Sequence, residues 1–183
     1  MALLRDEGLL PHHLLLDIGA GALRLGCRAV PFLAPGNYWA TDASRALMLR
    51  GRAEELADPA ALDESRLVED GAFGYPGVPD GIDYAIAFAV FPHLPPDALP
   101  AALARAHAAF PRLRAFLFTV FLAPEGADSW RQPDGVVTHA ARAPRHLPEA
   151  EVLRIVREAG FEARRRDDLL PRGQICMVAT PIR

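Results

Sequence analysis

The sequence predicts an α/β fold: a doubly wound, mostly parallel seven-stranded sheet with an antiparallel last strand. Three observations carry this. Apolar runs of strand length alternate with amphipathic runs of helical period from end to end of the 183 residues. The strand-like runs are apolar nearly throughout, as in Leu14-Leu15-Leu16 and Tyr84-Ala85-Ile86-Ala87, which is the pattern of strands covered by helices on both faces. The first of these runs leads into two closely spaced glycines, Gly19 and Gly21, where a strand must turn sharply into the next helix.

The elements come in order. Leu14–Ile18 is a buried strand with a carboxylate, Asp17, near its end. Ala22–Phe32 has helical spacing and stops at Pro35-Gly36. Tyr38–Thr41 is a second strand closing at Asp42, and Ser44 is the N-cap of a helix running to Leu56. Arg66–Glu69 is a third strand, and Gly71–Gly81 is rich in turn residues. Asp83–Val90 is a strong buried strand. Pro95-Pro96-Asp97 opens a helix to about Phe110, with proline in the first turn. Arg114–Leu122 is the next strand, and residues 123–145 form a long irregular stretch. Pro148–Ala159 is a helix ended by Gly160. Two strands close the pattern, Phe161–Arg166 and Gln174–Thr180, turned into an antiparallel pair at Arg172-Gly173. No repeat or low-complexity linker interrupts this order, so residues 1–183 are expected to form one domain.

Composition excludes several classes. The net charge is −3, from 20 basic and 23 acidic residues, and every basic residue is arginine. Such a balance lacks the clustered positive charge of a nucleic-acid-binding surface, so no nucleic-acid partner is expected. Cys27 and Cys176 match no ligand or disulfide spacing, and His107, His139 and His146 share no spacing with another ligand, so no metal site is expected. No apolar run reaches the roughly 20 residues that span a bilayer, and the charged start around Arg5-Asp6-Glu7 is no signal peptide. The expectation is a cytoplasmic protein without a membrane partner; the oligomeric state is left open.

The segment Asp17-Ile18-Gly19-Ala20-Gly21 lies where an open α/β sheet binds ligands, at the carboxyl end of a strand. A dinucleotide fingerprint requires a third glycine three residues after the second, and Arg24 stands there. A carboxylate two residues before the first glycine repels a pyrophosphate and suits a cationic amino acid tail. S-adenosylmethionine carries an ammonium and a sulfonium and no phosphate, so these residues favour it over a nicotinamide cofactor.

The same segment resembles the first motif of class I S-adenosylmethionine-dependent methyltransferases, whose fold is Rossmann-like. Tyr38-Trp39-Ala40-Thr41-Asp42 is similar to the family's second strand, Val68-Glu69-Asp70-Gly71-Ala72 to its third, and Asp83 to Leu94 to its fourth. Residues 148–161 are similar to its late helix and strand. The resemblance spans about Leu14 to Thr180. It departs at Leu23, where a third glycine is common, and in the short stretch before the first strand, where Met1–Leu9 could be the tail of a covering helix.

The resemblance implies a methyltransferase that moves a methyl group from S-adenosyl-L-methionine to an acceptor, with a small molecule favoured by the neutral surface. It places cofactor contacts at Asp17, Gly19, Ala20, Gly21, Asp42, Ala43, Asp70, Ala72 and Ala89. Asp42 would hold the ribose hydroxyls, or be an ordinary first-turn acid of its helix. Asp70 would meet the adenine amino group, or serve turn chemistry alone. His93 is the candidate catalytic base; its other reading is packing and capping at the start of the next helix. Arg24 pairs with the cofactor carboxylate or is an exposed helix arginine, and His12-His13 are expected to be solvated. Trp130 covers the acceptor pocket or anchors its loop, and residues 123–145 are expected to form a lid. A non-catalytic cofactor-binding or partner-binding member and a nicotinamide-dependent oxidoreductase are the rival readings.

Overall fold

The computed structural model describes residues 1–168 and 170–182. A short helix α1 (Ala2–Asp6) precedes β1 (Leu15–Ile18), and α2 (Gly26–Ala29) leads to β2 (Tyr38–Asp42). Then come α3 (Arg45–Glu55), β3 (Leu67–Glu69), β4 (Tyr84–Ala87), α4 (Ala98–Ala109) and β5 (Ala115–Leu122). A hairpin of β6 (Ser129–Arg131) and β7 (Val137–His139) is followed by β8 (His146–Leu147) and α5 (Glu149–Glu158). β9 (Phe161–Arg165) and β10 (Ile175–Pro181) complete the chain.

The main sheet has the order β3-β2-β1-β4-β5-β10-β9. The pairs among β3, β2, β1, β4 and β5 are parallel, and β10 runs antiparallel to both β5 and β9. The chain winds outward from β1 to β3 and returns on the other side of β1 at β4. The helices leaving β1 and β4 therefore diverge, and a crevice opens between the carboxyl ends of these two strands.

Successive strand residues serve opposite faces. Leu16, Ile18, Phe116 and Phe118 pack with Leu99 and Leu103 of α4 and Val152 of α5. Leu15, Ala40, Leu117 and Val178 pack with Leu4 of α1, with Leu23, and with Met48 of α3. Asp83 staples the lower ends of β1 and β4: its Oδ2 accepts the Leu14 N–H at 3.0 Å, and Arg114 stands 3.5 Å from Oδ1. Glu7, nearly buried, pairs with Arg164 and Arg166 and so ties the start of the chain to β9 and its extension. Among the described residues no helix is long and apolar enough to cross a membrane.

All seven expected strands form, and β8 adds an eighth beside the end of β5. Three expectations need correction. The helix expected over 22–32 shrinks to Gly26–Ala29, because Leu23 adopts a left-handed φ of 57° to bury its side chain completely and so interrupts the helical path. The strand expected to reach Val90 stops at Ala87, because Ala89 turns with φ 59°. The stretch 123–145 is not irregular throughout, since it contains the β6–β7 hairpin. Among the described residues no α-helix lies between β3 and β4 in the chain. Phe73, Tyr75 and Ile82 fill that space, and Tyr75 donates to the Ala102 carbonyl of α4 at 3.1 Å.

Candidate functional site

The two glycines are fixed from the neighbouring strand. The Gly19 and Ala20 N–H groups both donate to the Thr41 carbonyl, at 2.7 and 3.1 Å, folding the loop over the end of β2. The Asp42 carboxylate completes the clamp: Oδ2 accepts the Gly21 N–H at 2.9 Å and Oδ1 accepts the Ser44 N–H at 2.9 Å. Ser44 caps α3 as expected, accepting the Leu47 N–H at 3.3 Å. Gly19 has φ +67°, and a Cβ there would stand 2.5 Å from Val90 Cγ2, so glycine alone lets the loops after β1 and β4 close on each other.

Asp17 is buried on the face of α2 and α3, and its Oδ2 accepts the Tyr38 hydroxyl at 2.7 Å. Oδ1 has no partner among the described residues. No fully enclosed polar side-chain atom there lacks one, so Oδ1 must reach open space. Burial pushes the Asp17 carboxyl up to about 7. The Tyr38 hydrogen bond opposes the shift, the Asp42 charge adds to it, and the chain's amino terminus opposes it.

Asp42, Ala43 and Asp70 come together. The Asp70 N–H donates to the Asp42 carbonyl at 2.8 Å, and a Cβ on Gly71 would lie 3.2 Å from the Ala43 Cβ. The Asp70 carboxylate accepts three backbone N–H groups, from Ala72, Gly74 and Tyr75, at 2.9, 3.1 and 2.8 Å. It thus does the turn chemistry foreseen as its second reading. Ala72 is exposed, and its carbonyl accepts from Arg105.

Ala89 is half-buried beside the same crevice. Its N–H donates to the Thr119 hydroxyl at 2.7 Å, and Thr119 in turn donates to Gln174 Oε1. This buried pair of polar side chains holds the strained turn after β4. His93 lies in a 3₁₀ turn, Phe91–His93, with its ring exposed. It neither packs under nor caps α4, which begins at Ala98. Arg24 is exposed, outside the helix expected to carry it.

The other histidines separate clearly. His13 is buried, contrary to the solvated position expected: its Nδ1 accepts the Leu10 N–H at 3.0 Å and its ring lies against Tyr84. His146 is buried with both ring nitrogens engaged, by Thr138 Oγ1 and the Ala127 carbonyl, each at 2.8 Å. Trp130 is exposed on β6 and stands outside the apolar pocket. That pocket, about 500 Å³ counting the space at its mouth, opens beyond the β4 turn. Phe91, Leu94, Leu99, Val120 and Leu147 line it, and Ala140 and Arg145 bring residues of the 123–145 stretch to its wall.

Sequence reasoning did not find Thr119, Gln174, Arg145 or Gly51. Gly51 carried a signal: a glycine inside a helix that its neighbours would stabilise better as alanine. A Cβ there would stand 2.3 Å from the Ala22 carbonyl oxygen, so α3 presses on the backbone just after the glycine loop.

Comparison with known proteins gives the fold. No family model matches the chain, and no curated protein matches it. Solved structures match over nearly its whole length. Magnesium protoporphyrin IX methyltransferase from Synechocystis, with bound S-adenosylmethionine, aligns at a TM-score of 0.69 with 17% identity, covering 99% of this chain and 76% of that one. The Burkholderia thailandensis 1,6-didemethyltoxoflavin-N1-methyltransferase, with 1,6-didemethyltoxoflavin and S-adenosylhomocysteine bound, aligns at 0.67 with 23% identity, over 98% and 75%. A TehB-like S-adenosylmethionine-dependent methyltransferase from Corynebacterium glutamicum aligns at 0.65 with 16% identity, over 99% and 86%. The chain has the mostly parallel Rossmann-like fold of these enzymes.

Proposed function

We propose that this chain is an S-adenosylmethionine-dependent methyltransferase acting on a small-molecule acceptor. The observation that carries the reading is the clamp at the mouth of the crevice, where Asp42 holds the Gly19–Gly21 loop by the Gly21 N–H while Asp17 lies beneath it with one oxygen open. These residues fit a cofactor with a cationic amino acid end and a nucleoside end. Asp17 offers buried negative charge to an ammonium. Each Asp42 oxygen keeps a second lone pair for a ribose hydroxyl. Ala43 and Ala72, beside and after Asp70, would present small side chains to a flat base, and the Asp70 carboxylate, with three N–H groups bound, keeps one acceptor position for its amino group. Gly19, Ala20 and Gly21 let the backbone approach, and the Ala89 turn, fixed by Thr119, forms the wall toward the acceptor.

The bound cofactor supplies an electrophilic methyl group on its sulfonium. What the chain's own residues do is align and exclude. The loops after β1 and β4 meet at Gly19 and Val90, and the apolar pocket beside them keeps water from the acceptor. His93, exposed and free of side-chain partners among the described residues, is the group available to take a proton from the acceptor.

Calorimetric titration tests the reading. S-adenosylhomocysteine should bind and NAD should not, and Asp42→Ala should weaken binding by about 1.5–3 kcal/mol, the range for a hydrogen bond to a charged group. Binding of NAD with no response to S-adenosylhomocysteine would make the chain a nicotinamide enzyme. Cofactor binding without methyl turnover on any acceptor would make it a non-catalytic member of the fold.

A further inference from the structure

The apolar pocket beyond the β4 turn contains one cation that the fold does not neutralise. Arg145 is half-buried at its wall. Its Nε donates to the Leu94 carbonyl at 3.0 Å and its Nη1 faces the Ala140 carbonyl at 3.4 Å, so the guanidinium is held between the loop after β4 and the stretch after β7. Among the described residues it has no carboxylate partner, unlike Arg50 and Arg52 of α3, Arg154 of α5, and Arg164, Arg165 and Arg166 of β9 and its extension. Nη2 is bonded to nothing described. The other polar side chain at the pocket, His146, spends both ring nitrogens on Thr138 and Ala127. The remaining wall is hydrocarbon, from Phe91, Leu99, Val120 and Leu147 among others.

A half-buried guanidinium with no counter-ion is costly to desolvate, and an anion supplied by a ligand removes that cost. Fixed by two backbone carbonyls, it loses little freedom on binding, and a guanidinium suits the planar carboxylate group. A mostly apolar wall with one placed polar group is the lining of small-molecule sites. We infer that this pocket binds a small apolar molecule bearing a carboxylate, its body on Phe91 and Val120 and its anion on Arg145, and that such an acid is the methyl acceptor. The second half of the inference rests on the methyltransferase reading; the first half does not.

The test uses the cofactor-free protein and two probes of the same shape, 2-naphthoate and its neutral amide, 2-naphthamide, with binding followed by calorimetry. The carboxylate should bind about tenfold or more tightly than the amide, the size of a charge-assisted hydrogen bond. Arg145→Gln should bring the two probes to equal affinity. Because that variant also loosens two backbone contacts, Leu99→Trp is the second arm: it fills the pocket from α4 and should abolish binding of both probes while Arg145 stays in place. Equal affinities in the unaltered protein would overturn the anion site, and binding that survives Leu99→Trp would overturn the location. S-adenosylhomocysteine is titrated separately. If it fails to bind while the naphthoate preference holds, the methyltransferase reading falls and the carboxylate pocket stands. If it binds while neither probe does, the pocket inference falls alone.

Discussion

At the scale of the residue, Asp17 would join stability to the proposed cofactor binding with opposite signs. Its carboxyl holds a proton up to about 7 in the folded chain, against 3.8 ordinarily, because it is buried. Between those values the folded state binds more protons than the unfolded one, so this group's contribution to stability is full below about 3.8 and is lost as the pH rises through about 7. A shift of this size corresponds to something on the order of 4 kcal/mol. Asp17→Asn should therefore be the more stable form at pH 8, with the difference from the parent shrinking toward pH 4, as read by denaturant titration across that range. The same substitution should weaken S-adenosylhomocysteine binding at pH 8, since an ammonium is stabilised by the ionised acid. A variant whose stability tracks the parent at every pH would show that Asp17 is not the buried group that titrates. Asp17 was legible as a candidate because a carboxylate before two glycines is an unusual thing for a strand end. Its bond to Tyr38 was not legible, since the register that sets Leu15 against Tyr38 belongs to the folded sheet.

At the scale of the element, α3 and the glycine loop behave as one unit. Helix propensity alone says that Gly51→Ala gains about 1 kcal/mol. The contact with the Ala22 backbone reverses the sign: a methyl group 2.3–2.8 Å from backbone atoms forces the helix and loop apart. The expected result is a net loss of about 2 kcal/mol, typical of overpacking, together with weaker S-adenosylhomocysteine binding. A raised melting temperature would show that the two elements part without cost. The strands were legible because a sheet covered on both faces writes itself as continuous apolar runs. The helix expected over 22–32 was not, because its period is genuine but Leu23 reaches the core only by leaving the helical path. The β6–β7 hairpin was hidden for the opposite reason. Its residues are mostly exposed, so no apolar alternation marks them, and its buried anchors, Gln132 and Thr138, are polar.

At the scale of the whole molecule, the stretch 123–145 is mostly exposed and joins the core at few points. It touches the sheet chiefly through Ala123, Gln132 and Thr138, and it reaches the pocket through Ala140 and Arg145. Hydrogen exchange should find it more labile than the sheet, and more protected when S-adenosylhomocysteine and 2-naphthoate are present together. Protection confined to residues 17–21 and 42 would make it an ordinary surface loop and leave the pocket uncovered. The sheet order has another consequence, for the time at which the molecule becomes whole. Among the described residues β9 pairs only with β10, and β10 lies between β9 and β5. During synthesis the parallel strands from β3 to β5 can assemble as they emerge, but β9 has no neighbour to join until residues 175–181 have been made. Glu7, made well before them, then finds Arg164 and Arg166 beside β10. A nascent chain stopped before β10 exposes the apolar edge of β5 for as long as it waits, so ribosome-bound intermediates of that length are the ones a chaperone should hold.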